Sequence, residues 1–127
     1  MKLSISMWSV VSAVRQGKID LPGFIEFAAQ QQVNGAQGVE LLDYFWRDRE
    51  ADIPKVLRQI ADAGLELAVY SIGNDFFQPE RGAWEKQLAD VKTGVEVADR
   101  LGVRTLRVFS GNAKPGYAFE DGLAWIV

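Results

Sequence analysis

Two charged residues interrupt apolar stretches of the sequence and are the first candidates for chemistry. Glu40 lies within the apolar stretch 38–42, and Arg107 lies within the apolar stretch 106–109. In a β-strand, alternation turns each charged side chain away from the apolar neighbours on either side of it. A carboxylate buried on that opposite face is costly unless it is paired or bound. We therefore predict that Glu40 and Arg107 share one face of a sheet and lie close together.

This predicted pair has two interpretations. It is a structural ion pair that balances charge in a protein interior, or one or both residues bind a hydroxyl, carboxylate or phosphate group of a substrate. Both interpretations require the two charged groups to lie on the same side of the sheet.

Three further candidates follow predicted strands. Asn74 and Asp75 come directly after the third strand and suit hydrogen bonding to a polyol, although the same residue types also stabilise turns. Trp8 ends the first strand, where its ring suits stacking on a sugar face, or membership of a lid or the core.

Other polar and aromatic segments carry weaker signals. The aromatic cluster 44–46 is consistent with a pocket wall or with a subunit contact, and the charged segment 48–52 is typical of a solvated helix start. The glycine-rich segment 111–116 contains Lys114 but lacks the spacing of a phosphate-binding P-loop.

A repeated strand-and-helix pattern positions these residues. The strand candidates are 3–8, 39–43, 67–72 and 106–110, with a helical segment between each and the next. Such alternation predicts a parallel sheet. Four units amount to half of a (β/α)8 TIM barrel, so we interpret residues 1–127 as one domain, a (βα)4 half barrel. In such a barrel, the side chains of alternate strands fill each interior layer. Glu40 on the second strand and Arg107 on the fourth would therefore lie in the same layer.

Helix boundaries have local signals. Asp20 and Asp52 each precede a proline by two residues, which predicts capped helices over 21–32 and 53–63. Apolar spacings of three and four predict the longest helix over 81–101. A last helix begins at 119, and the apolar residues 124–127 fall in mid-helix, so we expect the chain to continue beyond them. The longer, chemically mixed links follow the strands, as in barrels and doubly wound sheets.

Composition excludes several classes of function. The chain has 127 residues, a net charge of −3 and no basic cluster, which argues against a nucleic-acid partner. It has no cysteine and no histidine, so this segment holds neither a Ser-His-Asp triad nor a histidine metal ligand. No segment reads as a signal peptide or membrane span. We therefore expect a cytoplasmic protein without a membrane partner.

Segments 38–41, 70–76 and 107–111 together resemble the sugar phosphate isomerase/epimerase family, which belongs to the xylose isomerase-like TIM barrels. The resemblance covers the N-terminal half of such a barrel. It implies a sugar or hydroxy-acid substrate and proton or hydride transfer next to a carbonyl. It also implies a divalent metal (Mn, Mg, Co or Zn) in the full-length protein. The metal ligands and catalytic residues are expected on later strands, and no metal is expected in this segment.

The resemblance assigns substrate-binding roles to particular residues. Glu40 matches the second-strand glutamate, Arg107 the fourth-strand arginine, and Asn74-Asp75 the polar end of the third strand. Trp8 joins them as a candidate platform for the sugar. Relatives among the zinc-dependent repair endonucleases carry histidines on these strands, and the absence of histidine counts against that chemistry.

Other functions and folds remain open on the sequence alone. A dehydratase or lyase acting on a polyol or keto acid uses the same barrel. A non-catalytic half-barrel module would form homo-oligomers through the open strand edges at 3–7 and 106–109. An open flavodoxin-like sheet ranks lower, because segment 9–14 offers little glycine for binding phosphate.

Overall fold

A four-stranded parallel sheet organises the chain, in a computed structural model that describes residues 2–126. The strands are β1 Leu3–Ser6, β2 Ala36–Leu42, β3 Glu66–Ser71 and β4 Leu106–Arg107. The helices are α1 Val11–Arg15, α2 Leu21–Gln30, α3 Arg49–Asp62, α4 Arg81–Arg100 and α5 Phe119–Ile126. The strand order is β1-β2-β3-β4. The expected α/β class and parallel sheet are confirmed, and the order differs from that of a flavodoxin-like sheet.

The two faces of the sheet differ in composition. Val39 and Leu41 of β2 are fully buried, and Tyr70 of β3 lies beside Leu41 in the parallel register. We call this side the helix face, because its side chains form one core with apolar residues of α2, α3 and α4. The opposite side, which carries Glu40 and Arg107, is the open face.

One predicted helix start is confirmed and the other is wrong. Asp20 caps α2, with its carboxylate accepting from the Gly23 N–H at 3.0 Å. Helix α3 begins a turn before the predicted start, at Arg49 rather than Ile53, because Asp48 caps it. The Asp52 carboxylate accepts from the Asp48 N–H at 3.1 Å, and Asp48 in turn accepts from Ala51 N–H at 3.2 Å. This reciprocal pairing provides acceptors for free backbone N–H groups at Asp48 and Ala51, so the helix can begin one turn before the position that a cap at Asp52 would give.

Several strand boundaries also differ from the prediction. Strand β1 ends at Ser6 rather than at Trp8, because the Ser6 hydroxyl accepts from the Trp8 N–H at 3.2 Å and begins a 3₁₀ turn. Strand β2 begins at Ala36 instead of 39, and β3 is shifted by one residue to Glu66–Ser71. Strand β4 contains two residues rather than the predicted 106–110.

The links after the strands contain unpredicted structure. Helix α1 occupies 11–15, within the link after the first strand, where the sequence pattern predicts no helix. Helix α5 begins at Phe119, as expected. Across residues 2–126, no helix combines the length and the apolar character that crossing a membrane requires.

Candidate functional site

Glu40, Ser71 and Arg107 form a hydrogen-bonded network on the open face. One Nη of Arg107 lies 2.7 Å from a Glu40 carboxylate oxygen, and Arg107 Nε donates to the Ser71 hydroxyl at 2.8 Å. The Ser71 hydroxyl in turn donates to the same oxygen of Glu40. The three side chains meet because Ser71 lies beside Arg107 in the β3–β4 register. The predicted proximity of Glu40 and Arg107 is confirmed.

The network is buried at one end and open at the other. The side chain of Glu40 is 14% exposed, whereas that of Arg107 is 42% exposed. Water screens a pair of this kind, so its net contribution to stability is of the order of 1 kcal/mol or less. Its clearer effect is positional, since Ser71 and Glu40 together fix the direction of the guanidinium group.

A cleft of about 360 Å³ lies beside this network, at the carboxyl ends of the strands. Four of the five sequence-predicted site residues line it: Trp8, Asn74, Asp75 and Arg107. The fifth, Glu40, is connected to the cleft through its ion pair with Arg107. The structure therefore brings together candidate residues that the sequence placed in or next to the first, third and fourth strands, and connects them to Glu40 of the second.

Asn74 connects the end of β3 to the chain that follows β4. It is 5% exposed. Its amide nitrogen donates to the Phe109 carbonyl at 2.5 Å, and its amide oxygen accepts from the Phe109 N–H at 2.8 Å. These two bonds replace the sheet ladder where β4 ends, so Asn74 holds one wall of the cleft in place.

Asp75 organises the glycine-rich segment 111–116. One carboxylate oxygen accepts from the N–H groups of Phe77 and Asn112 at 3.0 and 3.2 Å, and the other lies 3.4 Å from Lys114 Nζ. Gly111, with φ of +132°, passes close by: a Cβ there would lie 2.3 Å from the Asp75 carboxylate. Lys114, the lysine in this segment, therefore balances the negative charge of Asp75.

Tyr44 is a cleft residue that the sequence analysis left undecided. Its ring rests on Gly73, where a Cβ would lie 1.8 Å from the phenol oxygen. Burial raises the pKa of Tyr44, as does nearby Asp43, while Arg107 and Arg15 oppose that rise. Tyr44 lies two residues after the end of β2, as Trp8 lies two residues after the end of β1, and this shared position was the available signal.

The rest of the aromatic cluster turns away from the cleft. Phe45 and Trp46 pack against the hydrophobic core, and the Trp46 indole N–H donates to the Tyr70 hydroxyl at 3.2 Å. The cluster therefore divides between the cleft and the core. Asn112, a cleft residue that no pattern had singled out, lines the side formed by the 111–116 segment.

Two arginines lie over aromatic rings that line the cleft. The guanidinium carbon of Arg15 lies 5.8 Å from the centre of the Trp8 ring, and that of Arg107 lies 5.0 Å from the Phe109 ring. Such distances permit cation–π attraction, which also holds each guanidinium group near its ring.

A second polar group lies behind the cleft, on its helix side. The Gly73 N–H donates to an Asp43 carboxylate oxygen at 3.1 Å. Burial raises the pKa of Asp43, the Gly73 hydrogen bond opposes the rise, Asp90 adds to it and Arg49 opposes it. Within residues 2–126, the second carboxylate oxygen of Asp43 and the Nε of Arg49 are buried without hydrogen-bond partners. Asp43 thus adjoins the cleft wall through a single backbone amide.

The described residues do not fit a divalent metal. Within 2–126 no group of three or more Asp, Glu, His or Cys side chains is arranged to hold a metal ion. The metal that the resemblance implies therefore has no ligand set among residues 2–126. In comparisons with known proteins, no family model matches the chain, and no curated protein matches it either.

Proposed function

We propose that the chain is the N-terminal half of a xylose isomerase-like TIM barrel, and that its cleft is one wall of the pocket of a sugar or hydroxy-acid isomerase or epimerase. The supporting observation is the fixed Arg107 guanidinium in an aromatic-lined cleft at the carboxyl ends of sequential parallel strands. Barrel enzymes hold their active sites at that end. The proposed location is cytoplasmic.

In this proposal the cleft binds and orients the substrate. Arg107 has one Nη outside the Glu40–Ser71 network, and its N–H groups are donors for a substrate hydroxyl or carbonyl oxygen. Isomerisation and epimerisation next to a carbonyl place negative charge on that oxygen, and a pre-oriented donor stabilises it. Trp8 and Tyr44 offer apolar surfaces for the carbon–hydrogen face of a sugar. The groups that move the proton at carbon are assigned to later strands.

The test uses the protein that carries this chain together with the later strands of the barrel. We would incubate it in D₂O with a panel of aldoses, ketoses and sugar acids, and follow exchange of the hydrogen next to the carbonyl by ¹H NMR. The expected result is exchange accompanied by an isomer or epimer. Arg107→Lys keeps the charge but loses the planar guanidinium group, whose N–H donors point in fixed directions. The value of kcat/KM should therefore fall by about a hundredfold.

Glu66→Gln is the matched control for Glu40→Gln. Glu66 is also a strand carboxylate paired with a cation, Lys2, but it begins β3 at the other end of the sheet. Glu40→Gln should lower kcat/KM and Glu66→Gln should leave it unchanged. Formation of a dehydrated or cleaved product would replace the proposal with the dehydratase or lyase alternative. Equal effects of the two substitutions would contradict the role of the network.

A non-catalytic half-barrel module that dimerises is the second candidate. It is supported by the outer strands, since β1 and β4 each have one hydrogen-bonded neighbour within the described sheet. Light scattering on the chain distinguishes the two functions. A mass twice the 14.1 kDa of one chain, with loss of the dimer on placing proline in β4, would favour the module.

A further inference from the structure

A second cavity, of about 240 Å³, lies on the helix face beside the end of β3. We call it the helix-side cavity. Its polar lining comes from the link after β2, from β3 and from helices α3 and α4, and consists of Asp43, Arg49, Tyr70, Asp90 and Thr93, next to the shared Asn74. The segment after β3, residues 72–74, borders both this cavity and the cleft, so it lies between the two.

Two buried polar atoms at the helix-side cavity have complementary hydrogen-bonding roles. One carboxylate oxygen of Asp43 accepts from the Gly73 N–H at 3.1 Å, and the other, Oδ1, is buried without a partner among residues 2–126. Within the same residues, the Nε of Arg49 is buried without an acceptor. A buried acceptor and a buried donor destabilise a protein unless something satisfies them. One water takes up about 30 Å³ in the liquid, so the cavity has room for a larger molecule.

The charges at the helix-side cavity are balanced. Asp43 supplies one carboxylate and Arg49 one guanidinium group, which opposes the rise in the pKa of Asp43. Asp90 lies 2.6 Å from Lys86, so its charge is compensated outside the cavity. A ligand with a net charge would bring an uncompensated charge into a partly buried site, which is costly. The side chain of Asp90 is 48% exposed, so a molecule can enter from solvent beside α4.

We propose that the helix-side cavity binds a small neutral molecule with a primary amide group, whose N–H donates to Asp43 and whose carbonyl oxygen accepts from Arg49. An amide carries a donor and an acceptor on one planar group without a net charge. Tyr70 and Ile72 border the cavity and offer apolar surface to the rest of the molecule. The site is independent of the proposed isomerase activity, because neither Asp43 nor Arg49 lines the cleft.

The experiment compares three small molecules of nearly the same shape: acetate, acetamide and acetamidinium. Acetate offers two acceptors and a negative charge, acetamide one acceptor and one donor group, and acetamidinium two donor groups and a positive charge. Each is titrated at neutral pH into the ¹⁵N-labelled chain, and the NMR signals of the Gly94 amide and the Arg49 Nε–H report binding. We expect acetamide to bind about tenfold more tightly than either ion. The indole signal of Trp8, which lines the cleft and not this cavity, should stay in place.

Asp43→Asn should reverse the order of two of these probes. The asparagine oxygen must face the Gly73 N–H to keep that hydrogen bond, so the NH₂ group takes the place of the unpaired Oδ1. The cavity then presents two donors and a net positive charge. Acetate should therefore bind to this variant more tightly than acetamide does.

Arg49→Met and Arg58→Met form a matched pair of variants. Both arginines belong to α3, but Arg58 is exposed and does not border the cavity. Arg49→Met keeps most of the apolar stem and removes the donor, so acetamide should bind about tenfold more weakly. Arg58→Met should leave acetamide binding unchanged. The amide spectrum of each variant shows whether it is folded.

Four outcomes would overturn the inference. Either ion could bind the unsubstituted chain as tightly as acetamide, or Asp43→Asn could keep the original order of acetate and acetamide. The two arginine substitutions could have equal effects. Finally, the Gly94 signal could stay in place with all three probes, which would mean that the cavity holds only water.

Discussion

The two faces of the sheet meet opposite requirements with the same strands. On the helix face, β2 buries Val39 and Leu41 completely against the helices. Between these two residues, Glu40 turns to the open face and joins a charged network that reaches solvent through Arg107. The apolar contacts of Val39 and Leu41 are thus on the opposite side of the strand from the charged groups of the network. The helix face contributes most of the buried apolar contacts, and the open face can carry charged side chains without placing them in the hydrophobic core.

The largest expected effect is on the helix face. Leu41→Ala removes a fully buried side chain and leaves a cavity, so the free energy of unfolding should fall by about 3 kcal/mol. Leu3→Ala is the control, because Leu3 of β1 is 51% exposed and should cost about 0.5 kcal/mol. Urea denaturation measures both. Similar losses for the two variants would contradict the complete burial of Leu41 in the core.

A smaller effect is expected at the cleft wall, where a glycine supports an aromatic ring. In Gly73→Ala the added Cβ would lie 1.8 Å from the Tyr44 phenol oxygen. Tyr44 is 54% exposed and can swing outward, so the cost in stability should be about 1–2 kcal/mol. Loss of NMR contacts between the Tyr44 ring and residue 73 would show the movement.

Gly82→Ala is the control for this substitution. Gly82 lies in α4 with open space around the position of a Cβ, so alanine should stabilise the helix by about 0.5–1 kcal/mol. If Gly73→Ala proved as stable as Gly82→Ala and kept the Tyr44 contacts, the close packing of ring on glycine would be wrong.

The comparison of faces also shows what the sequence could reveal. The face that Glu40 and Arg107 share follows from alternation within each strand. Their proximity was predicted from the half-barrel arrangement, in which alternate strands contribute to one layer. The early start of α3 was missed because the Asp48–Asp52 pairing competes with the proline signal at 54. Local competition of this kind leaves the existence of an element clear and its boundary uncertain.

The cleft was less predictable than the sheet, because its residues come from links whose paths are set by tertiary contacts. Trp8 and Asp75 were identified from their places after strands, but the bonds of Asn74 to the Phe109 backbone depend on where β4 ends. Tyr44 lines the cleft by packing its ring on Gly73, and Arg15 lies over the ring of Trp8. No periodic pattern in the sequence encodes such contacts.

The smallest expected effect concerns Asp43, which lies on the helix side of the cleft wall and bonds to Gly73. Burial raises its pKa in the folded state above the ordinary value of 3.8. Between that value and the raised one, the unfolded chain ionises first, so Asp43 lowers stability as pH rises through this window. Asp43→Asn has no such titration, so its urea midpoint relative to that of the unsubstituted chain should rise as the pH is raised above 3.8.

Asp90→Asn sharpens this test, because Asp90 adds to the rise in the Asp43 pKa. Removing that charge should lower the pKa of Asp43 towards its ordinary value. The pH range in which Asp43 lowers stability should then become narrower but should not disappear, because burial still raises the pKa. The Gly73 N–H donates a hydrogen bond to the Asp43 carboxylate, so the chemical shift of its proton follows the Asp43 titration by NMR. An unshifted Gly73 midpoint in Asp90→Asn would mean that burial and the hydrogen bond alone set this pKa. A Gly73 titration that persisted in Asp43→Asn would assign it to another group and separate Asp43 from the cleft wall.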